Sequence, residues 1–345
     1  MFDDIISLEN LFTAWNEFRP GKRSTDDVQE FERYLEDHLF RLHWELENGT
    51  YKHGRYERFQ IFDPKHRIIH KASVRDRIVH HAVYRILAPL FERSFIHDSY
   101  SCRIGKGTHA AIDRLEQFTR KMSRNYTRPC WALKCDIRKF FASIDRDILT
   151  KLIETKISDP KVLKLLHDIT NSFAAVDNLV ERERERELLG IPIGNLTSQL
   201  FANVYMSPFD HFVKEKLKVK YYLRYTDDFI VVDQDPNALM ALLPDMESFL
   251  KQRLHLELHP GKIVLRKLRQ GIDFLGYILF PNHRLLRKRT KQRMIRNMKT
   301  SGISKPQLYS YLGLLSHAEE HEAELALRRA YLQGRNDLPA LGSWK

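Results

Sequence analysis

Apolar positions along this chain recur with two periods, and the switches between them mark its elements. Leu11, Trp15 and Phe18, then Phe31, Leu35, Leu39 and Leu42, fall three or four apart. That spacing predicts polar helices with one apolar stripe over residues 1–60. Phe59–Phe62 and Arg67–His70 flank Asp63-Pro64, which predicts a hairpin. Ile78, Val79, Ala82, Val83, Ile86, Leu87 and Leu90 give a helix opening at Val74 an apolar face. Arg75 and Arg77 at its start suit either phosphates or helix-surface ion pairs. Trp131, Leu133 and Cys135 alternate with Ala132 and Lys134, predicting a strand that runs into Asp136. Residues 145–176, 237–256 and 288–335 predict helices. Leu200, Phe201, Val204, Tyr205 and Phe212 predict another, capped by Thr197 or Ser198. A strand at Ile263–Leu265 and a hairpin through Ile272–Phe280 are expected to complete the sheet.

The most pointed alternation is Lys220–Val232. Tyr and Leu alternate up to Tyr225, a β-branched run follows Phe229, and Thr226-Asp227-Asp228 stands between. This predicts a hairpin with two adjacent carboxylates at its tip. Adjacent acids repel, so apolar strands presenting them suggest a site for hard, oxygen-seeking cations. A solvated acidic turn is the alternative that the dipeptide alone allows.

With 345 residues, 43% hydrophobic and 30% charged, the chain has the make-up of a soluble globular protein with two or three lobes. It has no run of eighteen apolar residues, and Met1-Phe2-Asp3-Asp4 does not begin a secretory signal. Cys102, Cys130 and Cys135 lack metal-ligand spacing and read as thiols in a reducing compartment. The net charge of +12 changes the picture because of where it lies. Gly261–Lys305 holds thirteen Lys or Arg and one acid, Asp273, so the rest of the chain is neutral. Solvated helix faces interleave both signs; one sign this concentrated marks a surface for a polyanion, most often nucleic acid. The Glu181–Glu187 run does interleave them and reads as a solvated connection.

Two further stretches carry candidate chemistry. Arg103-Ile104-Gly105-Lys106-Gly107 precedes a helix, where backbone N–H groups and a cation can approach phosphate, although the spacing is not that of a P-loop. Asp136 ends its strand before Ile137-Arg138-Lys139-Phe140-Phe141, and a strand-end carboxylate can oppose the acids of a second strand.

In order, the Arg103 loop, Asp136–Phe141, Tyr225–Asp228, His259-Pro260-Gly261-Lys262 and Gly271–Tyr277 resemble a reverse transcriptase, from about Arg67 onward. Most such enzymes carry a Gln-Gly pair followed at fixed spacing by Ser-Pro. Here Ile193-Gly194-Asn195-Leu196-Thr197-Ser198-Gln199 puts Ile for Gln and Gln199 for Pro. That pattern, with the short length, is similar to the reverse transcriptases of diversity-generating retroelements. Thr226 stands where Met or Ala is commoner.

The resemblance implies an α+β right-hand polymerase fold. Residues 1–129 would be N-terminal helices and fingers, and 130–282 a palm of antiparallel sheet backed by helices, with a fingers-like insertion at about 157–195. Residues 283–345 would be a short basic helical thumb. It implies RNA-directed DNA polymerisation by two Mg²⁺ ions, with Mn²⁺ able to substitute. Asp136 and Asp227 would be shared metal ligands and Asp228 a weaker one. Arg103 and Lys106 would hold the triphosphate, and Lys262 would lie on its pyrophosphate side. Phe141 would exclude a 2′-hydroxyl, and Ile193-Gly194 would contact the incoming nucleotide. An Ile in place of Gln contacts without polar direction, which predicts relaxed fidelity; the family resemblance adds that errors concentrate at template adenines. Gln199 and Phe274-Leu275-Gly276-Tyr277 would contact template and primer end. Arg287, Lys288 and Arg289 would open a basic clamp on the RNA–DNA hybrid. Implied partners are template RNA, the RNA–DNA hybrid, dNTPs and a small basic accessory protein, with no membrane. The implied setting is the cytoplasm, in a bacterial, archaeal or phage-encoded system. The alternatives are a faithful retron-type or group II intron-type enzyme serving defence or mobility, and a non-catalytic RNA-binding protein.

Overall fold

The computed structural model describes residues 1–62, 66–173, 189–301 and 304–319, and five further positions between 321 and 328. The Asp63-Pro64 turn, the 181–187 charge run and most of the chain after 319 lie outside the described residues.

Helices α1 (Phe2–Ile6), α2 (Leu8–Phe18), α3 (Asp26–Arg33) and α4 (Leu35–Glu47) open the chain. Their stripe Leu11, Trp15, Phe18, Phe31, Leu39 and Leu42 is buried as the spacing predicts. Strands β1 (Glu57–Ile61) and β2 (Arg67–Lys71) form the expected antiparallel hairpin, Phe59 opposite Ile69. Helix α5 (Val74–Glu92) starts where Ser73 Oγ accepts the Asp76 N–H, a cap worth about 1 kcal/mol. Its Arg75 and Arg77 pair with Glu45 and Asp27, so the ion-pair reading holds for both. There follow α6 (Thr108–Met122), β3 (Trp131–Asp136), α7 (Phe140–Ser143), α8 (Arg146–Glu154), α9 (Pro160–Asn171) and α10 (Leu196–His211). The central hairpin is β4 (Tyr222–Tyr225) and β5 (Asp228–Asp233), with Tyr225 paired to Asp228. Then come α11 (Pro236–Ala241), α12 (Leu243–Leu254), β6 (Val264–Lys267), β7 (Ile272–Phe274), β8 (Tyr277–Phe280), β9 (His283–Leu286), α13 (Lys288–Ser301) and α14 (Lys305–Leu315).

Four expectations need correction. The 145–176 helix is two, because Asp159 caps a new start through its carboxylate and Pro160 takes the first helical position. The 237–256 helix is also two. Pro244 lacks the N–H that a continuous ladder requires, and α11 ends before it. Helix α10 begins at Leu196 with Asn195 as its N-cap, so Thr197 and Ser198 lie inside its first turn, buried. Finally, the 272–280 hairpin does not join the sheet of the acids. It forms a separate three-stranded sheet, β7-β8-β9.

The chain divides into two compact units. One comprises Met1–Arg103, Asp136–Lys218 and Pro244–Pro260. In it α5 is the central helix, with α1, α2 and α10 packed on it. The buried Asn10 amide stitches α2 to the Ala82 carbonyl of α5 at 3.1 Å. The other unit comprises Ile104–Cys135, Val219–Leu243 and the chain from Gly261. It holds a four-stranded sheet in the order β4-β5-β3-β6, with β4–β5 and β3–β6 antiparallel and α6 laid on β4 and β5. Among the described residues no helix is long and apolar enough to cross a membrane.

Candidate active site

The tip of the β4–β5 hairpin is a two-residue turn, Thr226-Asp227, with Thr226 at φ +56°. A β-branched residue pays for that conformation. Arg224, fully buried, donates from Nη1 to the Thr226 carbonyl at 2.9 Å and fixes the turn from inside. Asp227 and Asp228 are thereby presented half-buried. β3 is the hydrogen-bonded neighbour of β5, so the strand closed by Asp136 runs beside the strand opened by Asp228. The Asp136 carbonyl accepts the His259 N–H at 2.8 Å.

Lys134 was not singled out in the sequence. Its Nζ lies 3.6 Å from Asp228 Oδ1 and 5.8 Å from the centre of the Phe274 ring. A readable signal existed: Lys134 and Asp136 are two apart on a strand and so share one face. The donor chemistry fits a hard divalent cation. Asp227 and Asp228 offer only carboxylate oxygens at the tip, and the Lys134 ammonium is a cation already held against one of them. Among the described residues no group of three or more His, Cys, Asp or Glu is gathered to hold a metal ion.

Several other expected residues belong to the same unit as the hairpin. Thr108, the first residue of α6, donates from Oγ1 to the Tyr225 hydroxyl at 3.2 Å. The Gly105-Lys106-Gly107 loop, with both glycines at positive φ, therefore ends against the strand that leads to the acids. Lys262 lies two residues before Val264, which pairs with Lys134, so it approaches the Asp136 end of β3 along the sheet. Leu275 and Gly276, at φ +48° and +93°, form the two-residue turn of β7–β8 between the paired Phe274 and Tyr277. A Cβ on Gly276 would meet only Thr290 Oγ1, at 4.0 Å, so inside the protein it is the φ that asks for glycine. The Tyr277 hydroxyl donates to the Leu314 carbonyl at 3.1 Å.

Two of the expected basic residues are held by carboxylates of the chain itself. The Arg103 side chain is 6% exposed, with its guanidinium bound to both Glu92 oxygens and to the carbonyls of Ile96 and Ser99 at 2.7 and 2.8 Å. These contacts tie Arg103 to the end of α5. Arg287 is held by Asp273, from Nε at 2.9 Å, and its N–H donates to the Gly276 carbonyl. Lys288 and Arg289, which follow it, are exposed.

The first unit carries the residues expected around the nucleotide. Lys139, at φ +45°, turns the chain into α7, with Phe140 buried and Phe141 half-buried. The Phe141 carbonyl accepts the Ile191 N–H at 2.9 Å, and the Ile193 carbonyl accepts the His70 N–H at 3.2 Å. Gly194, at φ +124°, lies so close to β2 that a Cβ would be 3.1 Å from Ile69. Phe141 and Ile193 are thus on one continuous hydrogen-bonded strip. Gln199 lies half-buried on α10 one turn beyond Asn195. The first turn of α10 is anchored from behind: Thr197 Oγ1 is 2.7 Å from His80 Nδ1. Burial, reinforced by neighbouring His53 and His81, pushes the His80 pKa well down and keeps this imidazole neutral.

Residues 52–279 match the family model described as reverse transcriptase (RNA-dependent DNA polymerase). The chain belongs to that family. Among curated relatives it is 25% identical over 261 residues to protein YkfC of Escherichia coli (strain K12), covering 66% of this chain and 65% of that one. It is 26% identical over 337 residues to the group II intron-encoded protein LtrA of Lactococcus lactis subsp. cremoris, covering 79% and 54%. The chain thus spans between about half and two thirds of the length of these two relatives. Telomerase from Candida albicans, solved with a fragment of telomeric RNA, superposes with a TM-score of 0.52 at 13% identity, over 83% of this chain and 56% of that one. Apo telomerase from Candida tropicalis gives 0.51 at 15% identity, over 82% and 57%. The fold is therefore the α+β right-hand polymerase type. Reverse transcriptase domains use divalent metals, which suits the pair of carboxylates at the hairpin tip.

Proposed function

We propose that this protein is an RNA-directed DNA polymerase of a diversity-generating retroelement, copying a template-repeat RNA into cDNA with frequent errors at adenines for mutagenic retrohoming. Polymerase chemistry is supported above all by one observation: the strand closed by Asp136 lies next to the strand opened by Asp228, within a chain of the reverse transcriptase family. In this reading Asp136 and Asp227, with Asp228 as a weaker ligand, hold two Mg²⁺ ions, Mn²⁺ being able to substitute. Bound there, the metal supplies Lewis acidity at the primer 3′-hydroxyl and at the α-phosphate. Residues 1–129 serve as N-terminal helices and fingers, 130–282 as palm and 283–345 as thumb.

The protein's own groups do the positioning. Lys106 and the N-terminus of α6, beside Tyr225, receive the triphosphate. Lys262 stands toward the pyrophosphate. Arg103 contributes by fixing the loop that carries Lys106. The Phe274–Tyr277 turn, with Phe274 against Lys134, seats the primer end. Phe141 crowds the sugar and selects deoxynucleotides. Lys288 and Arg289 open the clamp on the hybrid; the partners are template RNA, dNTPs and a small basic accessory protein.

The error-prone reading rests on Ile193 standing where a hydrogen-bonding Gln is usual. A site that recognises by hydrogen bonds rejects wrong partners far better than an apolar surface does. The test is the error spectrum of cDNA made on a defined RNA. Misincorporation concentrated opposite adenine supports the retroelement reading. A uniformly low rate would instead assign the chain to the faithful group II intron type, which the likeness to LtrA favours.

A further inference from the structure

At the end of β3 away from Asp136, three segments of one unit converge on a cavity of about 250 Å³. They are the α6–β3 loop with Tyr126–Cys130, the β6 end with Lys267–Arg269, and Pro281 in the β8–β9 turn. Arg128, Lys267 and Arg269 line it, and no acid does. The rest of its wall is Tyr126, Pro129, Leu268 and Pro281, with the polar Thr127 and the Cys130 thiol.

The loop that supplies the cavity's first wall is costly to build. Arg124, Asn125 and Tyr126 stand at φ +50°, +56° and +66°, three consecutive non-glycine residues in the left-handed region. Each such residue costs of order 1 kcal/mol or more, and such conformations persist where surrounding structure fixes them. Here the Tyr126 N–H donates to Ser123 Oγ, and the Arg128 N–H to the Ser123 carbonyl, both at 2.9 Å. Arg120 Nε donates to the Asn125 side chain, also at 2.9 Å. The second wall is fixed by the sheet: Lys267 pairs with Trp131, its Nζ lies 5.7 Å from that ring, and the Leu268 N–H donates to the Cys130 carbonyl. The Cys130 thiol beneath is pushed up to about 12 by burial and by Asp233, and stays neutral.

We propose that this cavity is a second nucleic-acid subsite, taking a phosphate–sugar unit of single-stranded RNA. The concentration of Lys and Arg after Gly261 is thereby divided: Lys267 and Arg269 serve here, not in the hybrid clamp. Cations on the rim with an aromatic and apolar wall are the pairing that holds single strands, whereas a hybrid needs an open, wide groove. The site is remote from polymerisation. From Trp131 to Asp136 is five residues of strand, roughly 17 Å. The bound segment is template RNA away from the copied position. This inference takes its RNA partner from the polymerase reading above.

The test is fluorescence anisotropy of the full-length protein with a labelled single-stranded RNA and no primer, repeated across a KCl series. Arg128→Ala/Lys267→Ala/Arg269→Ala should weaken binding at least tenfold at low salt. It should also lower the slope of log K against log [salt] by about 2, near 0.7 for each phosphate no longer neutralised. Extension of a short primer–template should keep its kcat. Since Lys267 also packs on Trp131, the pair Arg128→Glu/Arg269→Glu, changing two exposed side chains, must act in the same direction. Inorganic tripolyphosphate and dATP are the competitor arms. If they displace no RNA at concentrations that saturate the cavity, or if both folded variants bind RNA with unchanged affinity and slope, the subsite is refuted. A wild-type protein that binds RNA through these residues yet never extends a primer would sink the polymerase reading and leave this one standing.

Discussion

In the proposed reading Phe141 and Ile193 govern nucleotide choice, and both are tied to one strip of backbone. Phe141 is held through its carbonyl by Ile191, two residues before Ile193. Replacing Phe141 with Val should open space for a 2′-hydroxyl. Discrimination between dNTP and NTP, measured as the ratio of kcat/KM values, should fall about 10- to 100-fold, the size expected for removing steric contact. An unchanged ratio would remove Phe141 from sugar selection. Ile193→Gln should restore one directional hydrogen bond, worth about 1 kcal/mol, and lower misincorporation about fivefold in sequenced cDNA. Arg103 shows what resemblance leaves unread: its place in the sequence suggests a triphosphate ligand, and nothing local announces that Glu92, eleven residues earlier on α5, pairs with its guanidinium. Lys134 shows the converse, since its tie to Asp228 depends on β3 and β5 being neighbours, which no local pattern announces.

Elements were legible where the signal was local. The β4–β5 hairpin, β3 and α5 stand where alternation and helical spacing put them. The break before Pro160 also had a local signal, Asp-Pro, that periodicity alone overrode. What could not be read was which strands pair. The β7–β8 hairpin has the right alternation for the acids' sheet, yet it pairs with β9 instead. That hairpin gives a stability prediction. Gly271 sits at φ +82°, and an added Cβ would lie 2.6 Å from Ile278 Cγ2 and 2.7 Å from Phe280 Cζ. Gly271→Ala should cost about 2–4 kcal/mol in urea unfolding, combining strain and overpacking, whereas Gly276→Ala should cost only about 1. The α2–α5 contact gives a pH prediction. Burial, then the charges of Lys22, Arg77 and Arg85, lowers the His81 pKa from 6.5 to about 4. Above pH 6.5 the ring is neutral folded and unfolded and has no effect. Between pH 6.5 and 4 the unfolded chain takes up a proton that the folded one resists, so stability falls. Thermal melting should show that slope, and His81→Gln should flatten part of it, the remainder belonging to groups such as His80.

At the scale of the whole molecule, the family was readable because five short blocks keep their order across more than half the chain, and the matched residues 52–279 run from before β1 into β8. The basic excess was readable too, but not its partition between the start of α13 and the cavity beside Trp131, because Arg128 joins that cavity from a distant segment. The central claim is that Asp136, Asp227 and Asp228 form the metal-dependent polymerase centre. The most direct measurement is RNA-templated primer extension by the purified protein with and without Mg²⁺, beside Asp227→Asn. The account predicts dNTP incorporation that requires the metal and falls about 10³-fold or more in the variant. Incorporation that survives the substitution, or none at all from folded wild-type protein on any primed RNA, would contradict it.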